Sequence, residues 1–404
     1  MRNAGYNVLQ THHHSAAQEV VLATDVVIVE AVRTAMGRRN GMLSGTHPVT
    51  LGARVLREVV DRVGLDPALV GDVVFGNVSQ VGEQAANIGR NVVLEAGFPI
   101  EVPGTTVDRQ CGSAQQAIHF AANLISAGVV DITIGGGVEV MSRVPMGSNF
   151  KVAGFPFTEH MVGKYDLTSQ GVAADNIARK YGITREQLDT FAVESQRRAK
   201  AASDSGKFEK EILPIDVEHE GVKGVFKVDE GIRESTLEKL GTLTPSFGED
   251  GLHHAGNSSQ ITDGASAVLM MSAEKAKELG LRPRARIVAQ AVVGSDPHLM
   301  LTGPITATPA VLKKAGLKLQ DIDRVEINEA FAAVVLAWNK ELGFDLAKTN
   351  VNGGAIALGH PLGCTGARLM TSLLHELERT GGRYGHEVMC CGGGIGTATI
   401  IERL

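Results

Sequence analysis

The chain has 404 residues, of which 43% are hydrophobic and 21% charged, and its formal net charge is −6. That length allows two or three well-buried cores, and the acidic balance without a long basic run excludes nucleic acid and anionic membrane as expected partners. Aromatic residues are only 4% while glycines number 48, a mixture that suits close-packed α/β layers with tight turns rather than an aromatic base-stacking platform.

Residues 1–24, which include His12-His13-His14, lack the basic start and apolar centre of a secretory signal. They read as a disordered N-terminal extension, and the protein is expected to be cytoplasmic. No apolar run reaches the roughly 18 residues that a membrane-crossing helix requires. The first strand is expected over residues 25–34, followed by a polar turn at Gly37–Gly41. Leu51, Ala53, Val55, Leu56, Val59, Val60 and Val63 recur at helical spacing, and Gly64 supplies a stop. A strand at Asp72–Asn77, a helix at Gln84–Leu94 and a buried strand at Asp131–Ile134 ending in Gly135-Gly136-Gly137 follow. Strands alternating with helices point to parallel βαβ units.

The same order returns later in the chain. Gly64-Leu65 through Asp72–Phe75 corresponds, without gaps, to Gly316-Leu317 through Arg324–Ile327 at an offset of 252 residues. Glu387-Val388-Met389 leads to Gly392-Gly393-Gly394 as the earlier strand leads to its three glycines, and Ala285–Val288 resembles the opening strand. Two similar halves are therefore expected to pack together. The halves are read as 25–144 with 258–284, and 285–404. Residues 145–257 form an inserted segment that covers or shapes a site. Within it Thr184 and Gln187 make the capping-box pattern at the start of a charged helix running to Ser203.

Four cysteines, Cys111, Cys364, Cys390 and Cys391, lack paired metal-ligand spacing and read as reduced thiols. Cys111 stands where a polar loop turns into a helix whose Ala114, Ala117, Ile118, Ala121, Leu124 and Ile125 keep helical spacing. A helix N-terminus favours the thiolate, which makes Cys111 a candidate nucleophile; the alternative is a small core residue. Three further stretches follow strands or precede helices, where α/β sheets place ligand sites. They are Asn328-Glu329-Ala330-Phe331, Asn352–Gly363 with Gly359-His360-Pro361, and Cys390-Cys391-Gly392-Gly393-Gly394. Asn328 is also of the type that caps a helix.

In the order and spacing of these motifs the chain, from about residue 25 to 404, resembles the thiolase family. The resemblance implies a five-layer αβαβα fold of two duplicated halves with an inserted loop domain. It implies an acyltransferase in which Cys111 becomes the acyl-thioester and His360 activates it. Cys390 would be the second thiol, which moves the carbon proton, and Asn328 would hold a catalytic water. The N–H groups of Cys111 and Gly392 would form an oxyanion hole. It places Ser259 at the pantetheine of CoA, Ala330 and Phe331 along its tunnel, and Arg233 near the adenosine phosphates. An exposed helix arginine is the plain alternative for Arg233. No metal and no permanently bound cofactor are expected. CoA is a co-substrate, acyl-CoA thioesters are the ligands, and a homodimer or homotetramer is the expected assembly.

One stretch departs from the short-chain pattern. Ser169-Gln170-Gly171 stands where acetoacetyl-specific thiolases have His-Met-Gly. The expectation is cleavage of a 3-ketoacyl-CoA with a medium or bulky acyl chain, in the degradative direction. The alternatives are an acetoacetyl-CoA-forming biosynthetic thiolase, a ketoacyl synthase, and a non-catalytic acyl-CoA-binding protein.

Overall fold

The structure is a computed structural model that describes residues 24–404. The N-terminal extension read from the sequence, with its three histidines, lies outside the described residues save Thr24.

The chain opens on β1 (Val26–Thr34), followed by β2 (Gly37–Arg38), α1 (Pro48–Asp61) and β3 (Asp72–Gly76). α1 starts where His47 accepts the Val49 N–H and Pro48 takes the first helical position. It ends before Gly64, whose φ of 64° is open to glycine at little cost. Next come α2 (Ile88–Glu95), β4 (Gly104–Val107), α3 (Ser113–Ser126) and β5 (Ile132–Val140). The helix expected from Gln84 begins only at Ile88. Ala86 and Asn87 are both left-handed, with φ 59° and 56°, and this interrupts the helix until the Asn87 side chain caps Arg90.

Between β5 and the next long strand lie α4 (Glu159–Lys164), α5 (Gln170–Lys180), α6 (Arg185–Asp204), β6 (Ile212–Leu213), β7 (Ile215–His219), β8 (Val222–Phe226) and α7 (Leu237–Gly241). The capping box at Thr184 and Gln187 is present on α6. The β7–β8 hairpin was not expected; its sign is the alternation of buried Ile215 and Val217 with exposed Asp216 and Glu218. The chain then returns through β9 (Thr262–Ser272) and α8 (Ala273–Glu278).

The second half repeats the first with β10 (Ala285–Gly294), α9 (Gly303–Ala315), β11 (Arg324–Ile327), α10 (Ala332–Leu342), α11 (Ala355–Leu358), α12 (Thr365–Thr380), β12 (Tyr384–Cys391) and β13 (Ile395–Arg403). The strand order is β11-β12-β13-β10-β1-β9-β5-β3-β4, so the run from β1 to β3 mirrors the run from β10 to β11. The two runs join through only two residue pairs, Val27 with Arg286 and Ile28 with Ala285.

Three apolar cores stack these elements as five layers. α1 and α2 pack on one outer face through Leu51, Val55, Val59, Val92 and Phe75. α3 and α12 lie together in the middle, where Ala117, Ile118, Met370 and Leu373 meet Ile28, Val268 and Ile401. α9 and α10 cover the other outer face through Ala307, Val311, Val335 and Trp338. Each fully buried aliphatic side chain in these cores contributes roughly 1.5–3 kcal/mol relative to exposure. The central layer matters most for function, because both of its helices begin at one end of the sheets.

Candidate active site

The loop that delivers Cys111 is tightly held. Asp108 accepts the Gln110 N–H at 2.7 Å, and Ser113 Oγ both receives the Arg109 N–H at 2.9 Å and donates to the Gln110 carbonyl at 2.6 Å. Gln110 is left-handed at φ 50°, a conformation that costs a non-glycine residue energy and turns the next side chain sharply. Gly112 follows because a Cβ there would lie 2.7 Å from Cys391 Sγ and 3.0 Å from Thr397 Oγ1. The start of α3 is thus pressed against β12 and β13 of the other half.

Cys111 is 3% exposed. Burial pushes its thiol up to about 11, although N–H groups of Gly392 and of Cys111 itself are directed at the sulfur. This corrects the expectation of a resting thiolate: the sulfur stands before α3, yet loss of water outweighs the helix end. His360 is buried as well, and that burial, followed by the positive charge of Arg368, holds the imidazole down to about 3. The resting pair is therefore a neutral thiol and a neutral imidazole.

His360 is set by its neighbours in sequence. Gly359 has φ 99°, and a Cβ there would strike Thr262; the His360 N–H donates to the Gln260 carbonyl at 3.1 Å. Its Nε2 lies 3.4 Å from Asn328 Nδ2, and its Nδ1 lies 2.6 Å from Thr365 Oγ1. Asn328 sits at the end of β11, where its N–H bonds the Val388 carbonyl of β12 at 3.1 Å. Its side chain also reaches Cys390, whose thiol burial pushes well up, as do the nearby Cys111 and Cys391 sulfurs. Cys111, His360, Asn328, Cys390 and the Gly392 N–H therefore converge. Cys391 packs in one cluster with Cys111, with Thr397 and the Gly112 N–H at its sulfur, and Cys364 is a wholly buried packing residue.

The four residues expected at CoA are brought together on one strip. The Ser259 N–H donates to the Ala330 carbonyl at 2.9 Å, and the Ala332 N–H to the Asn257 carbonyl at 3.0 Å; Ser258 and Phe331 form an isolated bridge between these two. Phe331 meets Phe247 edge-on at 5.7 Å. Arg233 is exposed, and its guanidinium donates to the Ala255 carbonyl of the same loop at 3.2 Å. Ser169-Gln170-Gly171 starts α5 close by: a Cβ on Gly392 would lie 3.2 Å from Gln110 Oε1 and 3.4 Å from Gln170 Nε2. Among the described residues, no three His, Cys, Asp or Glu side chains are grouped as metal ligands would be.

Two residues at the site escaped the sequence reading. Glu139, inside the wholly buried strand β5, accepts N–H groups from Val78 at 2.9 Å, Ser79 at 3.1 Å and Gly363 at 2.9 Å, and from Gln84 Nε2 at 2.7 Å. A lone carboxylate in an otherwise apolar strand is the signal that would have found it. Thr365 offers no such signal, since a threonine at a helix start is common.

Beyond this geometry, the chain as a whole is similar to known proteins. The model for the N-terminal domain of thiolases matches residues 26–274, and that for the C-terminal domain matches residues 281–403. The chain belongs to the thiolase family. It is 51% identical to the steroid 3-ketoacyl-CoA thiolase FadA6 of Mycobacterium tuberculosis over 391 residues, 94% of this chain and 95% of that one. It is 43% identical to an acetyl-CoA acetyltransferase of Cupriavidus necator over 392 residues, 94% of this chain and all of the other. The crystal structure of the Bacillus anthracis acetyl-CoA acetyltransferase superposes with a TM-score of 0.88 at 42% identity, covering 95% of this chain and 100% of that chain. This thiolase is thus an enzyme of the acyltransferase class, with the αβαβα fold that its motifs implied.

Proposed function

We propose that this thiolase cleaves a 3-ketoacyl-CoA with free CoA, giving acetyl-CoA and a shortened acyl-CoA through an acyl-Cys111 intermediate. The observation that supports it most is the aim of the Gly392 N–H at the Cys111 sulfur beside Cys390 and the Asn328–His360 pair. In this reading His360 takes the Cys111 thiol proton as the sulfur adds to the 3-keto carbon. The bond between C2 and C3 breaks, its electron pair passes to C2, and Cys390 gives its proton there, releasing acetyl-CoA. His360 and a water held by Asn328 stabilise the enolate. Free CoA then gives its proton to the Cys390 thiolate and attacks the acyl group; Cys111 leaves and recovers its proton from His360. The Cys111 and Gly392 N–H groups stabilise the second oxyanion.

CoA lies, in the same proposal, along Ser259, Ala330 and Phe331, with Arg233 toward its phosphates. The acyl chain is medium-length or bulky and the direction degradative. Gln170 beside Gly392 and the similarity to a thiolase named for steroid substrates support this. The acetyltransferases among the relatives keep an acetoacetyl-CoA-forming role as the second reading. The domain limits proposed from the sequence, 145–257 for the inserted segment above all, stand with this reading. So does a cytoplasmic homodimer or homotetramer, supported by β4 at the free edge of the sheet and by exposed Phe155 and Phe157 in the inserted segment.

The test is intact-protein mass after exposure to acetyl-CoA or a 3-ketoacyl-CoA. An acyl adduct on wild type that is missing in Cys111→Ala is expected, and Cys111→Ala should lose about 10⁴-fold or more in turnover. An adduct that persists in Cys111→Ala removes the proposal. Comparing turnover of acetoacetyl-CoA with a medium-chain or branched 3-ketoacyl-CoA decides the substrate; strict preference for acetoacetyl-CoA favours the second reading.

A further inference from the structure

A general base needs a bare nitrogen, and His360 has two to choose from. Nδ1 stands 2.6 Å from Thr365 Oγ1, and the same hydroxyl stands 2.8 Å from the Pro361 carbonyl oxygen. Nε2 faces the Asn328 side-chain amide at 3.4 Å. Thr365 and Asn328 are wholly buried and His360 is nearly so, so bulk water does not compete for these positions.

The hydroxyl has a single hydrogen, and where it goes decides the ring. If it goes to the Pro361 carbonyl, which can only accept, the hydroxyl oxygen is left to receive Nδ1–H, and Nε2 keeps a lone pair. If it goes to Nδ1, the hydrogen of the neutral ring moves to Nε2, and nothing remains to take the thiol proton of Cys111. The amide nitrogen of Asn328 at Nε2 and the one-turn bond to Pro361 both select the first arrangement. Thr365 is also the first residue of α12, and its own N–H donates to that same carbonyl at 3.0 Å, so the hydroxyl cannot drift from its place.

We propose that Thr365 is a positioning residue for the reaction: its hydroxyl, tethered to Pro361, accepts Nδ1–H of His360 and keeps Nε2, beside Asn328, as the base for the Cys111 proton. Thr365 touches neither substrate nor sulfur in this scheme and acts only through the ring. The inference rests on the thiolase reading given above for His360.

The experiment has an arm that is independent of turnover. Nitrogen-15 NMR of histidine-labelled resting protein, with the His360 signals identified by their loss in His360→Asn, is expected to show Nδ1 protonated and Nε2 bare. Kinetics on Thr365→Val, which keeps the shape without the hydroxyl, should show kcat lower by about 10- to 100-fold with KM for acyl-CoA little changed. Thr365→Ser restores the hydroxyl and should return turnover to within about threefold of wild type, an outcome that a purely structural role for the methyl group would not give. A resting ring protonated on Nε2, a valine variant as fast as wild type, or a serine variant as slow as valine overturns the proposal. Failure of wild type to acylate at Cys111 would instead overturn the functional reading, and the NMR result on wild type would still decide the position of the ring hydrogen.

Discussion

The two halves share one topology and differ in what stands at the ends of equivalent strands. In the first half β3 ends on Gly76, and β5 carries Gly135-Gly136-Gly137 at its middle. A Cβ on Gly76 would lie 2.5 Å from Ala114 N and 2.7 Å from the Gly363 carbonyl, and one on Gly137 would lie 1.9 Å from that carbonyl. In the second half β11 leads into Asn328, and β12 bears Cys390 close to its end. The first half provides room for the His360 loop, while the second provides most of the groups proposed to react; Cys111 is the exception. The duplicated fold thus divides labour: one copy yields space at the spot where the other places polar side chains.

The largest expected break in this contrast is in the second half. On the proposed mechanism Cys390 moves the carbon proton, so Cys390→Ala should lower kcat by about 10³-fold, within the range for a lost acid–base group. Thermal denaturation should barely change, since a small buried residue replaces another. Unchanged turnover would remove Cys390 from the chemistry.

A break in the first half should show as stability rather than chemistry. Gly137→Ala forces a Cβ onto the Gly363 carbonyl, and overpacking of this kind costs about 1–3 kcal/mol. Urea denaturation should register it, with a secondary loss of turnover as the His360 loop shifts. A variant as stable as wild type would mean that the two halves are not locked together at this point.

A further expectation concerns acid and involves both halves. His119 and His360 are held down to about 3 and His386 to about 4, from an ordinary 6.5, chiefly by burial. Below 6.5 the unfolded chain takes up protons that the folded one refuses. Stability is therefore full above pH 6.5 and falls progressively toward pH 4, by at most about 1.4 kcal/mol per pH unit for each histidine. Chemical denaturation at pH 7.5, 6 and 5 (about these values, bracketing the shift) checks it; stability rising toward acid would contradict it.

The sequence by itself determined the alternation of strands and helices in the two halves, the repeat of one half by the other, the Thr184–Gln187 cap and the motifs that carry the family resemblance. All of these are signals of short range or of residue type. Tertiary structure alone decided that Cys111 rests as a thiol, because burial acts through atoms from both halves. It likewise decided the grip of Glu139 on Gly363, 224 residues away in the chain, and the meeting of His360 with Thr365 and Asn328. It also decided the left-handed turn at Ala86-Asn87, where a helix pattern read from spacing gave way to a loop. Periodicity tells which face of an element is apolar; it does not tell which polar groups, far apart in sequence, will be shut away from water together, and that is what sets protonation and reactivity here.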